Sequence, residues 1–104
     1  MNRSRNHSRH ADAVMRFLRR RGVWCTRIRA TWGQKRGLPD IFAVWNGRAI
    51  AVEIKTGCGR LTPYQRRELT AIAESGGIAL TGDAPTVISR LCELFGEAVL
   101  PLDT

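Results

Sequence analysis

Gly37-Leu38-Pro39-Asp40-Ile41-Phe42-Ala43-Val44-Trp45-Asn46-Gly47-Arg48-Ala49-Ile50-Ala51-Val52-Glu53-Ile54-Lys55 is the stretch that decides the fold of this 104-residue chain. Asn-Gly between two apolar runs is the strongest short-range signal for a β-hairpin. A two-residue loop at 46–47 pairs Trp45 with Arg48, so strands near 40–45 and 48–55 run antiparallel and Asp40 lies opposite Glu53. Opposed side chains share a face, with Cβ atoms about 4.5–5.5 Å apart. Two carboxylates so placed repel, and a hard divalent cation with oxygen ligands is the natural compensation. Lys55, two residues past Glu53, falls on the same face because strand side chains alternate. Two acids and a lysine on one sheet face suit metal-assisted hydrolysis of a phosphodiester.

Upstream of the hairpin, Thr31-Trp32-Gly33-Gln34-Lys35-Arg36-Gly37 is a loop at once basic, aromatic and glycine-rich. Val23 to Ala30 before it reads as a strand. A helix is expected from about Arg9 to Arg21, because Ala11, Val14, Met15 and Leu18 recur at helical spacing while Arg16, Arg19 and Arg20 face elsewhere. Gly22 supplies its stop. Residues 1–8 read as a basic, flexible tail. Downstream, Thr62-Pro63-Tyr64-Gln65 has the form of a helix start: an N-cap threonine, proline in the first turn, and glutamine three residues after the cap. That helix is expected to reach Glu74, followed by a short strand from Ile78 to Thr81. Asp83-Ala84-Pro85 opens a last helix, ending at Gly96. The order is helix, three strands, helix, strand, helix, an α/β arrangement within one domain over residues 9–104.

The formal charge is +8, unevenly spread. Residues 1–36 hold eleven of the seventeen Lys and Arg and one acid, Asp12; residues 37–104 hold six basic and eight acidic residues. The basic segment suits a phosphate backbone better than a merely solvated face, and its apolar stripe is narrow for a membrane surface. A hydrophobic content of 43% argues against wholesale disorder. No run approaches the roughly 18 apolar residues of a membrane span, and no signal-peptide core precedes the first helix, so a cytoplasmic protein is expected. Cys25, Cys58 and Cys92 form no C-x-x-C and read as reduced thiols.

Pro39-Asp40, followed after thirteen residues by Glu53-Ile54-Lys55, resembles the motif of the PD-(D/E)xK nuclease superfamily. Lys35-Arg36-Gly37-Leu38-Pro39-Asp40, Ala51-Val52-Glu53-Ile54-Lys55-Thr56-Gly57, Leu61-Thr62-Pro63-Tyr64-Gln65 and Gly76-Gly77-Ile78-Ala79 narrow the likeness to a stand-alone VRR-NUC domain, related to Holliday-junction resolvases. The resemblance spans roughly residues 10–82. It implies a restriction-endonuclease-like αβββαβ core, a small mixed sheet flanked by helices, with the C-terminal helix added. It also implies that Asp40 and Glu53 ligate Mg2+ (with Mn2+ as a substitute) together with the Ile54 carbonyl. Lys55 would orient or deprotonate the attacking water, or neutralise charge in the transition state. Gln65 would assist from the second helix, although local physics makes it equally the capping-box partner of Thr62.

Relatives usually carry an acid in the first helix about eleven residues before its terminal glycine. That position is Ala11 here, and Asp12, one residue off, is the candidate outer acid. Arg16, Arg19, Arg20, Trp32, Lys35 and Arg36 are the candidate DNA-binding residues, with Trp32 placed to stack on an unpaired base. His7 and His10 read as solvated or phosphate-touching, and Tyr64 as packing. No helix-turn-helix or zinc-finger signature is present, so shape and backbone recognition are expected. The expectation is a Mg2+-dependent, structure-selective DNA endonuclease acting on branched DNA such as Holliday junctions or flaps, as a homodimer. The alternative is a nucleic-acid-binding module on the same scaffold without turnover, for which the displaced first-helix acid is the best support.

Overall fold

Asn46 and Gly47 take φ of 53° and 79°, the left-handed pair that a type I′ hairpin turn requires. The turn joins β2 (Ile41–Trp45) to β3 (Arg48–Ile54), in a register running from Trp45↔Arg48 to Ile41↔Val52. The computed structural model describes residues 3–29, 31 and 33–96. Ahead of the hairpin lie α1 (Arg3–Arg20) and β1 (Trp24–Arg27); after it come α2 (Pro63–Glu74), β4 (Ile78–Gly82) and α3 (Ala84–Phe95).

The sheet has the order β1-β2-β3-β4. β1, β2 and β3 are antiparallel neighbours, and β4 returns parallel to β3 after the α2 crossover. β3 is therefore central, and its residues from Ile50 to Ile54 are all buried. On one face Ile41, Ala43, Trp45, Ile50, Val52 and Ile54 pack against the apolar stripe of α1 and against α3. Ala51 and Glu53 alternate to the opposite face, where α2 lies against β3 and β4. The fold is the expected mixed α/β sheet flanked by helices, with the terminal helix present.

Two boundaries differ from expectation by more than one residue. β1 stops at Arg27, short of the expected strand. α1 begins at Arg3, well ahead of Arg9, so residues 3–8 are helix and not tail. Tertiary contacts hold that polar extension: His10 Nδ1 accepts the Ala84 N–H at 2.9 Å, and His7 reaches the hairpin. His10 thereby joins Asp83 in capping α3, a structural role in place of the solvated one expected.

Candidate active site

Asp40 stands at the point where the hairpin ladder stops. Its own N–H donates to the Val52 carbonyl at 2.9 Å. Its side chain then takes over from the ladder: Oδ2 accepts the Ile54 N–H at 2.7 Å. In a ladder continued past Ile41, that N–H and the Ile54 carbonyl would both face Pro39. Proline has no N–H to give the carbonyl, so Pro-Asp ends the pairing with an Ile54 oxygen lacking its ladder donor. Ile54 itself is anchored by a fully buried side chain.

Glu53 is 3% exposed. Burial pushes its carboxyl up to about 8; the Asp40 charge and carboxyl push the same way, and Lys55 opposes them. Asp40 lies just past the last ladder pair, Ile41↔Val52, and lines the same cleft as Glu53. Oε2 accepts from Gln65 Nε2 at 2.9 Å and lies 3.7 Å from Lys55 Nζ. Oε1 is buried and has no hydrogen-bond partner.

Gln65 closes the capping box of α2 and also reaches Glu53. Its N–H donates to Thr62 Oγ1, its Oε1 accepts the Thr62 N–H, and its Nε2 goes to Glu53. The capping box of α2 thus aims an amide at the buried acid. The loop before the hairpin is pressed onto the same helix end: a Cβ on Gly37, whose φ is +82°, would sit 2.4 Å from the Tyr64 carbonyl carbon.

His7 is the residue that sequence reasoning missed. Its Nε2 lies 3.2 Å from Asp40 Oδ2, 33 positions along the chain. The signal available was its place one helical turn before Ala11, on the buried side of α1. Asp12, by contrast, does not join the two carboxylates: it is largely exposed and pairs with Arg27 at 3.6 Å.

A cleft of about 790 Å³ opens beside Asp40, Glu53 and Gln65, walled by Lys35, Gly37 and Ile28. A second groove is lined by His7, Ile54 and Lys55. Lys35 is half tied down, 3.3 Å from the nearly buried Glu68, which Arg67 also approaches at 3.5 Å. Arg36 lies over the Tyr64 ring. Arg16 and Arg19 are exposed and line a basic groove with Arg27 and Arg29, and Arg20 is exposed. Trp32 lies outside the described residues.

The donor set fits one hard cation. Mg2+ takes one or two carboxylates and keeps several waters, and Asp40 and Glu53, the latter with a partnerless oxygen, line one cleft. Among the described residues, no three His, Cys, Asp or Glu side chains converge as a full protein cage. Also among the described residues, no helix is long and apolar enough to cross a membrane.

The chain matches the family described as archaeal Holliday junction resolvase (Hjc) over residues 2–80. Two solved structures share the fold. One, titled "VRR_NUC domain", is 18% identical, with a TM-score of 0.72 over 86% of this chain and 97% of the other. The second, titled "VRR_NUC domain protein", is 22% identical, with a TM-score of 0.70 over 91% and 97%. No curated protein matches in sequence.

Proposed function

The chain belongs to the archaeal Holliday junction resolvase family, a family of nucleases, and from that premise we propose that it is a Mg2+-dependent endonuclease cutting phosphodiester bonds of branched DNA. The observation that carries the reading is the buried Glu53 Oε1 without a partner, set against Asp40 and Lys55 on one sheet face. An orphaned acid oxygen is costly unless something claims it.

Asp40, Glu53 and the Ile54 carbonyl would hold the cation. Mg2+, when bound, acts as a Lewis acid on the phosphoryl oxygens and eases deprotonation of water. Asp40, fixed through Oδ2 by the Ile54 N–H, would offer its other oxygen to the cation. Gln65 and Lys55 hold Glu53 Oε2, which leaves Oε1 free to take the cation. Lys55 Nζ, 3.7 Å from Glu53 Oε2, would supply positive charge where charge accumulates on the phosphorus oxygens, or orient the attacking water. The basic residues Arg16, Arg19, Arg20, Lys35 and Arg36 track the backbone, which gives affinity without sequence readout. Two copies acting together suit a junction, which needs two cuts.

The test is cleavage of a labelled four-way junction, a flap and a linear duplex with Mg2+ or Mn2+. Wild type should cut a branched substrate, and Glu53→Ala and Lys55→Ala should bind without cutting. Tight binding by all three proteins with no product establishes the binding-module alternative, which the outward-facing Asp12 favours.

A further inference from the structure

We infer that His7 is a positioning residue that fixes the Asp40 carboxylate for cation binding; the inference rests on the cation reading above. A carboxylate only accepts hydrogen bonds, so His7 Nε2 must carry the hydrogen it shares with Asp40 Oδ2 across 3.2 Å. The Ile54 N–H already donates to that same oxygen at 2.7 Å. Two donors from two separate elements, helix α1 and strand β3, converge on Oδ2. They stop the carboxylate from rotating and turn its other oxygen away from both. A carboxylate held in this way loses less freedom when it takes a cation.

The placement of His7 is built by the fold. α1 runs back to Arg3, two turns beyond its apolar stripe, and that extension brings His7 over the hairpin. Ala11, one turn further on, is fully buried and sets the facing of that side of the helix. His7 is about one-third exposed and lines the groove it shares with Ile54 and Lys55. It acts through Asp40, whose Oδ2 engages its Nε2.

The experiment is calorimetric titration of the full chain with Mn2+ alone, for wild type, His7→Ala, His7→Leu, His7→Gln and Glu53→Gln, with thermal melting in EDTA alongside. Removing an outer partner of a metal ligand typically costs 10- to 100-fold in metal affinity. His7→Ala and His7→Leu should therefore bind Mn2+ about 10- to 100-fold more weakly than wild type. His7→Gln, which keeps a donor, should recover most of the loss. Leucine preserves bulk and helix propensity, so that variant reports even if alanine loosens α1. A lower melting temperature in all three His7 variants with wild-type Mn2+ affinity would assign His7 to folding alone and overturn the inference. Wild type that takes up no Mn2+ would overturn the cation reading itself, and with it the role of His7.

Discussion

Gln65 donates to Glu53 Oε2 at 2.9 Å while the same amide closes the capping box of α2 on Thr62. Helix start and buried acid are therefore one hydrogen-bonded unit, and two substitutions separate its functions. Thr62→Ala removes the cap and leaves the Glu53 contact; it should cost about 1 kcal/mol of stability with cleavage at saturating metal nearly unchanged. Gln65→Ala keeps the backbone bond to Thr62 Oγ1 but removes the Glu53 contact and the side-chain half of the box, and should lower cleavage at least tenfold, as read by single-turnover kinetics beside chemical denaturation. Equal cleavage by the two variants would deny Gln65 a part in the site.

Gly37→Ala should act at a distance. The new Cβ meets Tyr64 backbone at 2.4 Å, and the +82° φ is strained for any side chain. The loop or the start of α2 must move, so stability should drop by about 1–3 kcal/mol and cleavage should fall with it, because Gln65 shifts too. A melting curve and a cleavage assay on one preparation check both.

Proton linkage gives a signed expectation. The Glu53 carboxyl is raised from 4.5 to about 8. Between those values the folded chain holds a proton that the unfolded chain has lost, so stability falls as pH rises through the window. The contribution is fully present below 4.5 and gone above about 8. In EDTA, the melting temperature should decline from pH 5 to 8 more steeply for wild type than for Glu53→Gln. Mn2+ should reverse the slope, because the cation competes with the proton. Parallel slopes in the two proteins would contradict this.

Arg19→Ala with Arg20→Ala should weaken junction binding and flatten its dependence on salt by up to about two units of slope, measured by fluorescence anisotropy over a salt series. Asp12→Ala should leave cleavage unchanged, since its exposed contact to Arg27 at 3.6 Å belongs to a class of pair worth at most about 1 kcal/mol.

The hairpin, its turn and its register from Trp45↔Arg48 to Ile41↔Val52 were legible because Asn-Gly sets the pairing and strand alternation does the rest. The α2 cap was equally legible from Thr62, Pro63 and Gln65, although the reach of Gln65 to Glu53 was suggested only by resemblance. What periodicity could not show was the first part of α1. Residues 3–8 carry no apolar repeat, so nothing local marks them as helix; contacts from His7 and His10 to distant elements hold them. For the same reason Asp12 was over-read. One position on a helix is a turn of about 100°, which is enough to send its carboxylate to Arg27. Lys35, read as a nucleic-acid grip, is partly engaged by Glu68, a pairing between loop and helix with no sequence signature.

The most direct test of the shared-cation site is anomalous diffraction from crystals grown with Mn2+. One peak between the Asp40 and Glu53 carboxylates, beside the Ile54 carbonyl and absent in Glu53→Gln, is the expected result. Peaks only elsewhere, or none with Mn2+ in excess at pH 8, would contradict the account.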